Sequence, residues 1–128
     1  MTATVLVVED EPDLAQIMVL ALRRAGFGVL AVASGAAAVA SAQDQPVAVV
    51  VIDRGLPDMD GLEATASLRA GGYRGAVLVT SGQAGEEHVA ECLEAGADDV
   101  LGKPFTLAQL VARVTAALDG PADGATAG

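Results

Sequence analysis

Side chains able to do chemistry together recur at the carboxyl ends of apolar runs in this sequence. Glu9 and Asp10 follow Val7-Val8, and Asp53 follows Val49-Val50-Val51-Ile52. The hydroxyl pair Thr80-Ser81 follows Val77-Leu78-Val79, and Lys103 follows Val100-Leu101-Gly102. Two carboxylates about 4 Å apart repel by roughly 4 kcal/mol at an effective dielectric of 20, so acids brought together call for a cation. A hard divalent ion is the natural one: Mg²⁺ takes oxygen ligands, keeps several waters, and suits one or two carboxylates plus a phosphate oxygen. A single acid after a strand also serves as a cap for the next helix. A hydroxyl and an amine at equivalent strand ends favour the joint reading, with Cys92 and His88 outside the cluster.

The elements that must position these groups alternate in type. Strand-length apolar runs occur at Ala3–Val8, Val29–Val32, Val47–Ile52, Ala76–Val79 and Val100–Leu101. The segments between them are helix-like. Leu14, Ile17, Met18, Ala21, Leu22 and Ala25 repeat at three and four residues behind Pro12, a residue tolerated in a first helical turn. Ala36–Ala42, Gly61–Ala70 and Glu86–Ala95 give three middle helices, the last two ending at glycines. Leu107, Leu110, Val111, Val114 and Leu118 form the last, and Thr106 with Gln109 has the spacing of a capping box.

A βα unit repeated five times predicts right-handed crossovers and a parallel sheet covered on both faces, hence strands as uniformly apolar as Val49–Ile52. Ligands of such a sheet sit beyond the carboxyl ends of its strands, where strand order reverses. Alternation alone does not fix the strand order; in the order 2-1-3-4-5, which the family resemblance given below implies, the third strand lies beside the first and Asp53 comes to Glu9 and Asp10. The residues 1–119 are expected to form one domain, and 120–128, rich in Gly, Ala, Pro and Asp, a disordered tail or truncated linker.

Composition narrows the function classes. The 128 residues carry 17 acidic and 7 basic side chains, a net charge of −10, so the chain is expected to repel nucleic acid and to bind none directly. The uncharged stretch Ala25–Gln43 contains Gly26, Gly28, Ser34, Gly35 and Ser41 and is taken as a strand plus a small-residue helix, without a membrane role. Glu9 and Asp10 follow one short apolar run with no basic flank, so a secretory signal is not expected. A single cysteine, Cys92, forms no internal disulfide and fits a reducing, cytoplasmic setting. Its spacing from Val89, Leu93 and Gly96 predicts core packing on one helix face. His88, without an evident partner, is expected to face solvent.

Five segments in order carry a resemblance to a known family. They are Val7-Val8-Glu9-Asp10-Glu11-Pro12, Asp53-Arg54-Gly55-Leu56-Pro57-Asp58-Met59-Asp60-Gly61, Thr80-Ser81, Glu94-Ala95-Gly96-Ala97-Asp98-Asp99 and Lys103-Pro104-Phe105. Together they resemble the receiver (phosphoacceptor) domains of two-component response regulators, over about Thr4 to Leu118. The resemblance implies a flavodoxin-like α/β fold and an aspartyl phosphate on Asp53, a form of covalent catalysis. It implies Mg²⁺ held by Asp10, Asp53 and the backbone carbonyl of Gly55, with Glu9 acting through water. Lys103 would pair with Asp53 and then with the phosphoryl oxygens. A histidine kinase or phosphotransfer protein would be the donor, and an output domain or downstream protein the recipient of the signal. A module of this kind promotes only its own phosphorylation and dephosphorylation and is not otherwise an enzyme.

For the hydroxyl, Ser81 lies fifteen residues before Gly96 and twenty-two before Lys103, the separations expected of the family, whereas Thr80 is one too far. Ser81 is therefore the expected phosphoryl contact and Thr80 a buried strand residue. The peptide bond before Pro104 is a candidate for the cis form. Two features depart from the family pattern. Val100 stands three residues before the lysine, where Tyr or Phe is usual, and Gly55 stands where a larger residue is common. The rival readings are a pseudo-receiver that binds partners without phosphorylation and a metal-dependent aspartate phosphatase. The first is opposed by Glu9, Asp10, Asp53 and Lys103 all being present, the second by Gly55 standing where a second acid is expected.

Overall fold

The alternation of apolar strands and amphipathic helices closes into one parallel sheet in the computed structural model, which describes residues 2–83 and 85–127, with side chains described through residue 119. The strands are β1 (Thr4–Val8), β2 (Gly28–Val32), β3 (Val49–Asp53), β4 (Ala76–Ser81) and β5 (Asp99–Gly102). The helices are α1 (Pro12–Arg24), α2 (Gly35–Asp44), α3 (Gly61–Ala70), α4 (Glu86–Ala95) and α5 (Leu107–Ala127). The sheet has the order β2-β1-β3-β4-β5, with every pair parallel, so the expected doubly wound, flavodoxin-like α/β fold is present. Predicted strand bounds lie within two residues of those observed, and α3 and α4 have the predicted bounds.

Period-two alternation divides the strands between two apolar layers. Val5, Val7, Val49, Val51 and Leu78 pack with Met18 and Leu22 of α1 and Leu110 and Val114 of α5. Leu6, Val8, Val50, Ile52, Val77 and Val79 pack on the other face with Ala38, Ala64, Leu68 and Cys92 of α2, α3 and α4. β3 lies at the centre, and Val49 to Ile52 are fully buried. Each such side chain stabilises the fold by about 1.5–3 kcal/mol relative to exposure. That burial fixes Asp53 as the residue that emerges where the apolar run ends.

Helix starts are held by local polar groups. Glu11 accepts from the Leu14 amide at 3.2 Å, Ser34 from Ala37 at 3.2 Å, and Asp60 from Leu62 at 2.9 Å. The predicted capping box is present, with the Thr106 amide donating to Gln109 Oε1 at 2.8 Å and the Gln109 amide to Thr106 Oγ1 at 3.0 Å. Gly96 ends α4 in the left-handed region at φ 115°, a conformation that favours glycine.

Two expectations differ from the structure. His88 does not face solvent: it is buried, whereas Val89 and Leu93 are 38% and 47% exposed. The inward face of α4 therefore consists of His88 and Cys92, four residues apart on one side of the helix. A partner for the imidazole, Arg54, makes that burial tolerable. The backbone of α5 is also helical through Ala127, across residues expected to form a disordered tail. Ala122, Ala125 and Ala127 favour helix, and extending a formed helix needs no new nucleus.

Gly61 opens α3 where the chain turns back under β3. A Cβ there would lie 2.5 Å from the Asp53 carbonyl oxygen and 2.7 Å from the Arg54 Cα, both backbone atoms that cannot swing away. On helix propensity alone Gly61→Ala should stabilise by up to about 1 kcal/mol. The close approach reverses the sign, with an expected loss of about 1–3 kcal/mol in urea unfolding. A variant as stable as the parent would show that the approach is not constraining.

Candidate functional site

The strand order brings together groups that are far apart in sequence. Glu9 and Asp10 follow β1, Asp53 ends β3, Ser81 ends β4 and Lys103 follows β5, all at the carboxyl edge of the sheet. Carboxylate oxygens of Glu9, Asp10 and Asp53 lie within 4.8 Å of one another. Lys103 Nζ donates to Glu9 Oε1 at 3.1 Å and sits 3.2 Å from Asp53 Oδ1. Glu9 and Asp53 are buried and Asp10 is exposed, so the cluster has one open side. An open cavity of about 350 Å³ beside it is lined by Asp53, Gly55, Ser81 and Lys103 together with Arg54 and Asp60. A larger cavity of about 570 Å³ lies at the opposite edge of the sheet, around Arg69, Tyr73, Arg74 and Asp98, away from these acids.

The electrostatics follow from burial and pairing. Burial raises the Glu9 carboxyl above its ordinary range, the Glu11 amide opposes this, and neighbouring Asp53 raises it further. Burial also pulls the Lys103 ammonium down, but its hydrogen bonds to Glu9 and Asp53 outweigh that pull, and its affinity for a proton is held above the ordinary value. Three carboxylates against one ammonium leave an excess of two negative charges when all are ionised. The donor set is all oxygen, which fits a hard divalent cation better than a transition metal. Cys92 is buried on α4 outside the cluster, and burial raises its thiol.

The loop between β3 and α3 is fixed from two sides. Asp58 accepts from the Gly35 and Ala36 amides at 2.9 and 3.0 Å, which ties the loop to the start of α2 and holds the Asp58 carboxyl below its ordinary range. Gly55 pairs across to Asp60 in an isolated antiparallel bridge. This loop therefore presents the backbone at Gly55 to the cavity beside Asp53.

The two hydroxyls of β4 differ. Ser81 lines the cavity, and its Oγ accepts from the Gln83 amide at 3.0 Å. Thr80 is buried, does not line the cavity, and its Oγ1 has no hydrogen-bond partner among the described residues. The Lys103–Pro104 peptide bond is cis, as the sequence suggested. Sequence reasoning overlooked Arg54, whose guanidinium faces Asp60, Glu91, Gln83 and His88. The available signals were a lone cation directly after Asp53 and the four-residue spacing of His88 and Cys92.

A doubly wound sheet with an acid triad and a lysine at its switch point defines a class, and comparison with known proteins gives the family. The response regulator receiver domain model matches residues 5–115, and the chain belongs to that family. It is 37% identical over 114 residues to the transcriptional regulatory protein KdpE of Mycobacterium tuberculosis, covering 89% of this chain and 50% of that protein. Against the transcriptional regulatory protein PrrA of the same organism identity is 41% over 114 residues, covering 89% and 49%. The chain thus spans about half the length of these curated relatives. Among solved structures, the receiver domain of Francisella response regulator 1452 superposes with a TM-score of 0.88 at 28% identity, covering 92% of this chain and 98% of that one. The chemotaxis response regulator CheY4 of Vibrio cholerae gives 0.87 at 28%, covering 92% and 100%. Among the described residues, no helix is long and apolar enough to cross a membrane.

The exposed Asp10 carboxylate tests the charge argument. Asp10→Asn should stabilise the metal-free protein by up to about 1 kcal/mol, the water-screened repulsion of two charges near 4 Å. The same change should remove most of the rise in melting temperature on adding Mg²⁺. A variant whose melting still rises with Mg²⁺ as the parent's does would place the ion elsewhere.

Proposed function

We propose that this chain is a phosphorylation-dependent signalling module in which Asp53 accepts a phosphoryl group from a phosphohistidine on a histidine kinase or phosphotransfer protein. The observation that carries the reading is the contact of Lys103 with both buried acids beside an open cavity that also holds the Ser81 hydroxyl. An Asp53 carboxylate oxygen attacks phosphorus and the bond from phosphorus to the donor's imidazole nitrogen breaks; with the ring's other nitrogen already protonated, the electron pair stays on the ring and it leaves as neutral imidazole. Such transfers depend mainly on positioning and on neutralising the phosphoryl oxygens.

Mg²⁺ fits the donor set, with Asp10, Asp53 and the Gly55 carbonyl as ligands and Glu9 acting through water. When bound, it supplies positive charge to the phosphoryl oxygens and offsets the acids' repulsion. Lys103 leaves Asp53 for the incoming oxygens while Glu9 keeps the ammonium at the pocket. Ser81 Oγ already accepts from the Gln83 amide, so its own proton is free to donate to a phosphoryl oxygen. Gly82 adds no side chain beside it, and Gly55 brings no second carboxylate that would assist hydrolysis as in an aspartate phosphatase. The relatives named as transcriptional regulators extend well beyond the matched region, which supports an output domain or downstream partner for a module of this kind.

Incubation with a small phosphodonor and Mg²⁺ should add one phosphoryl group to the intact mass, and Asp53→Asn should abolish the gain. Persistence of the gain in Asp53→Asn would move the acceptor elsewhere.

The hydroxyls give a second expectation: Ser81→Ala should slow phosphorylation about tenfold or more, the scale of one charge-directed hydrogen bond, while Thr80→Val leaves the rate nearly unchanged. Mass-resolved time courses check the ranking, and the reverse order would refute the assignment of Ser81.

A further inference from the structure

The Arg54 side chain starts beside the acid cluster and ends on α4. Its backbone is fixed at the sheet edge, the amide donating to Thr80 O at 2.9 Å and the carbonyl accepting from the Gly61 amide at 2.8 Å. Its Nη1 donates to Nδ1 of buried His88 and lies 3.4 Å from Gln83 Oε1 and 3.6 Å from Glu91 Oε1, while its Nε faces Asp60 Oδ2 at 3.4 Å. A guanidinium cannot accept, so Nδ1 of His88 is the acceptor and the ring's proton sits on Nε2, 3.8 Å from Cys92 Sγ.

The start of α4 is lightly fastened, whereas its end is tied to α3, where Arg69 Nε and Nη2 donate to the carbonyl of the C-cap Gly96 at 3.0 and 2.9 Å. His88 and Cys92 are its buried residues, and its N-cap, Gly85, makes no side-chain capping bond. Elements with so little buried apolar surface occupy the low end of the stability scale and move most readily. The polar tie to Arg54 therefore weighs heavily in where the first turns of α4 sit. The Ser81 hydroxyl reaches the same tie through Gln83, whose amide it accepts and whose Oε1 faces Arg54. Val100, partly buried against the layer that contains Cys92, offers no aromatic ring as another route.

We infer that the Arg54–His88 contact couples the state of Asp53 to the position of α4. The inference rests on the phosphoacceptor reading and names how that site is read out. When the Ser81 hydroxyl turns to donate to a phosphoryl oxygen, it draws the Gln83 amide with it, and Gln83 Oε1 shifts relative to Arg54. Arg54 is then redistributed between His88 and the acids Asp60 and Glu91, and α4 shifts. Coupling of this kind requires an element with two arrangements that both sites bias, and α4 is that element.

The test adds beryllofluoride with Mg²⁺, a phosphoryl mimic, to the parent chain, His88→Leu and His88→Gln. Fluorine NMR reports whether the mimic binds, and amide hydrogen exchange reports residues 86–95. All three proteins should show bound fluoride. The parent's α4 amides should change exchange about fivefold or more, within the usual range of coupling between sites. His88→Leu, which cannot accept from Arg54, should lose that response, and His88→Gln, whose amide oxygen can accept, should restore it. His88 is the chain's one histidine, so its ring nitrogen resonances can be followed in the unmodified protein and should move on binding. Bound fluoride with a full α4 response in His88→Leu, or with unmoved ring resonances in the parent, would overturn the coupling. If His88→Leu does not fold, the parent's ring resonances decide. Absence of bound fluoride in the parent would instead strike at the phosphoacceptor reading, and the coupling would fall with it.

Discussion

The contact of one ammonium with two buried carboxylates is the constraint on which the functional edge of this domain depends. Lys103 reaches Glu9 and Asp53 from the far end of the sheet, and it does so because β5, β1 and β3 all end at the same edge. Removing Lys103 would leave two buried acids facing each other without a cation, the costly half of a broken ion pair. The pairing is incomplete by design of charge, since Asp10 adds a third acid on the open side. An unbalanced negative pocket of oxygen donors, open to solvent on one side, suits a hard cation.

The rest of the edge keeps that pocket in shape with short local ties. Asp58 fastens the β3–α3 loop to the start of α2, Asp60 caps α3, and Gly61 lets the helix start against the backbone of Asp53. These are contacts to backbone amides and atoms, so they fix the loop without relying on long side chains. The opposite regime holds on α4. There the apolar residues Val89 and Leu93 lie outward and a polar His88 lies inward. The domain therefore joins a β3–α3 loop tied by backbone contacts to a helix whose start is held by few buried apolar side chains.

Much of this was legible in the sequence because the decisive signals are local. Apolar runs of strand length, the spacing of Leu107, Leu110 and Val114, and the Thr106/Gln109 pair each have one strong structural solution, and each is present. The acid cluster was legible only through strand order, which alternation of elements does not determine; the family resemblance supplied it. Ser81 was separated from Thr80 by residue spacing, and the structure lines the cavity with Ser81 and buries Thr80. What escaped was tertiary. The burial of His88 depends on Arg54, which lies 34 positions earlier in the chain, and a polar residue whose partner is distant reads as a surface residue. The helical backbone beyond Gly120 escaped for a different reason, because Gly and Pro signal termination while the alanines among them favour extension.

The most direct test of the acid–lysine account is a crystal structure of the protein with Mn²⁺ in place of Mg²⁺ and with beryllofluoride, using anomalous scattering to locate the metal. The account predicts one ion bound by Asp10, Asp53 and the Gly55 carbonyl. It predicts beryllium on an Asp53 oxygen, with Lys103 Nζ and Ser81 Oγ on its fluorides. An ion ligated without Asp53, or beryllofluoride absent from Asp53 in a crystal that holds the metal, would contradict it.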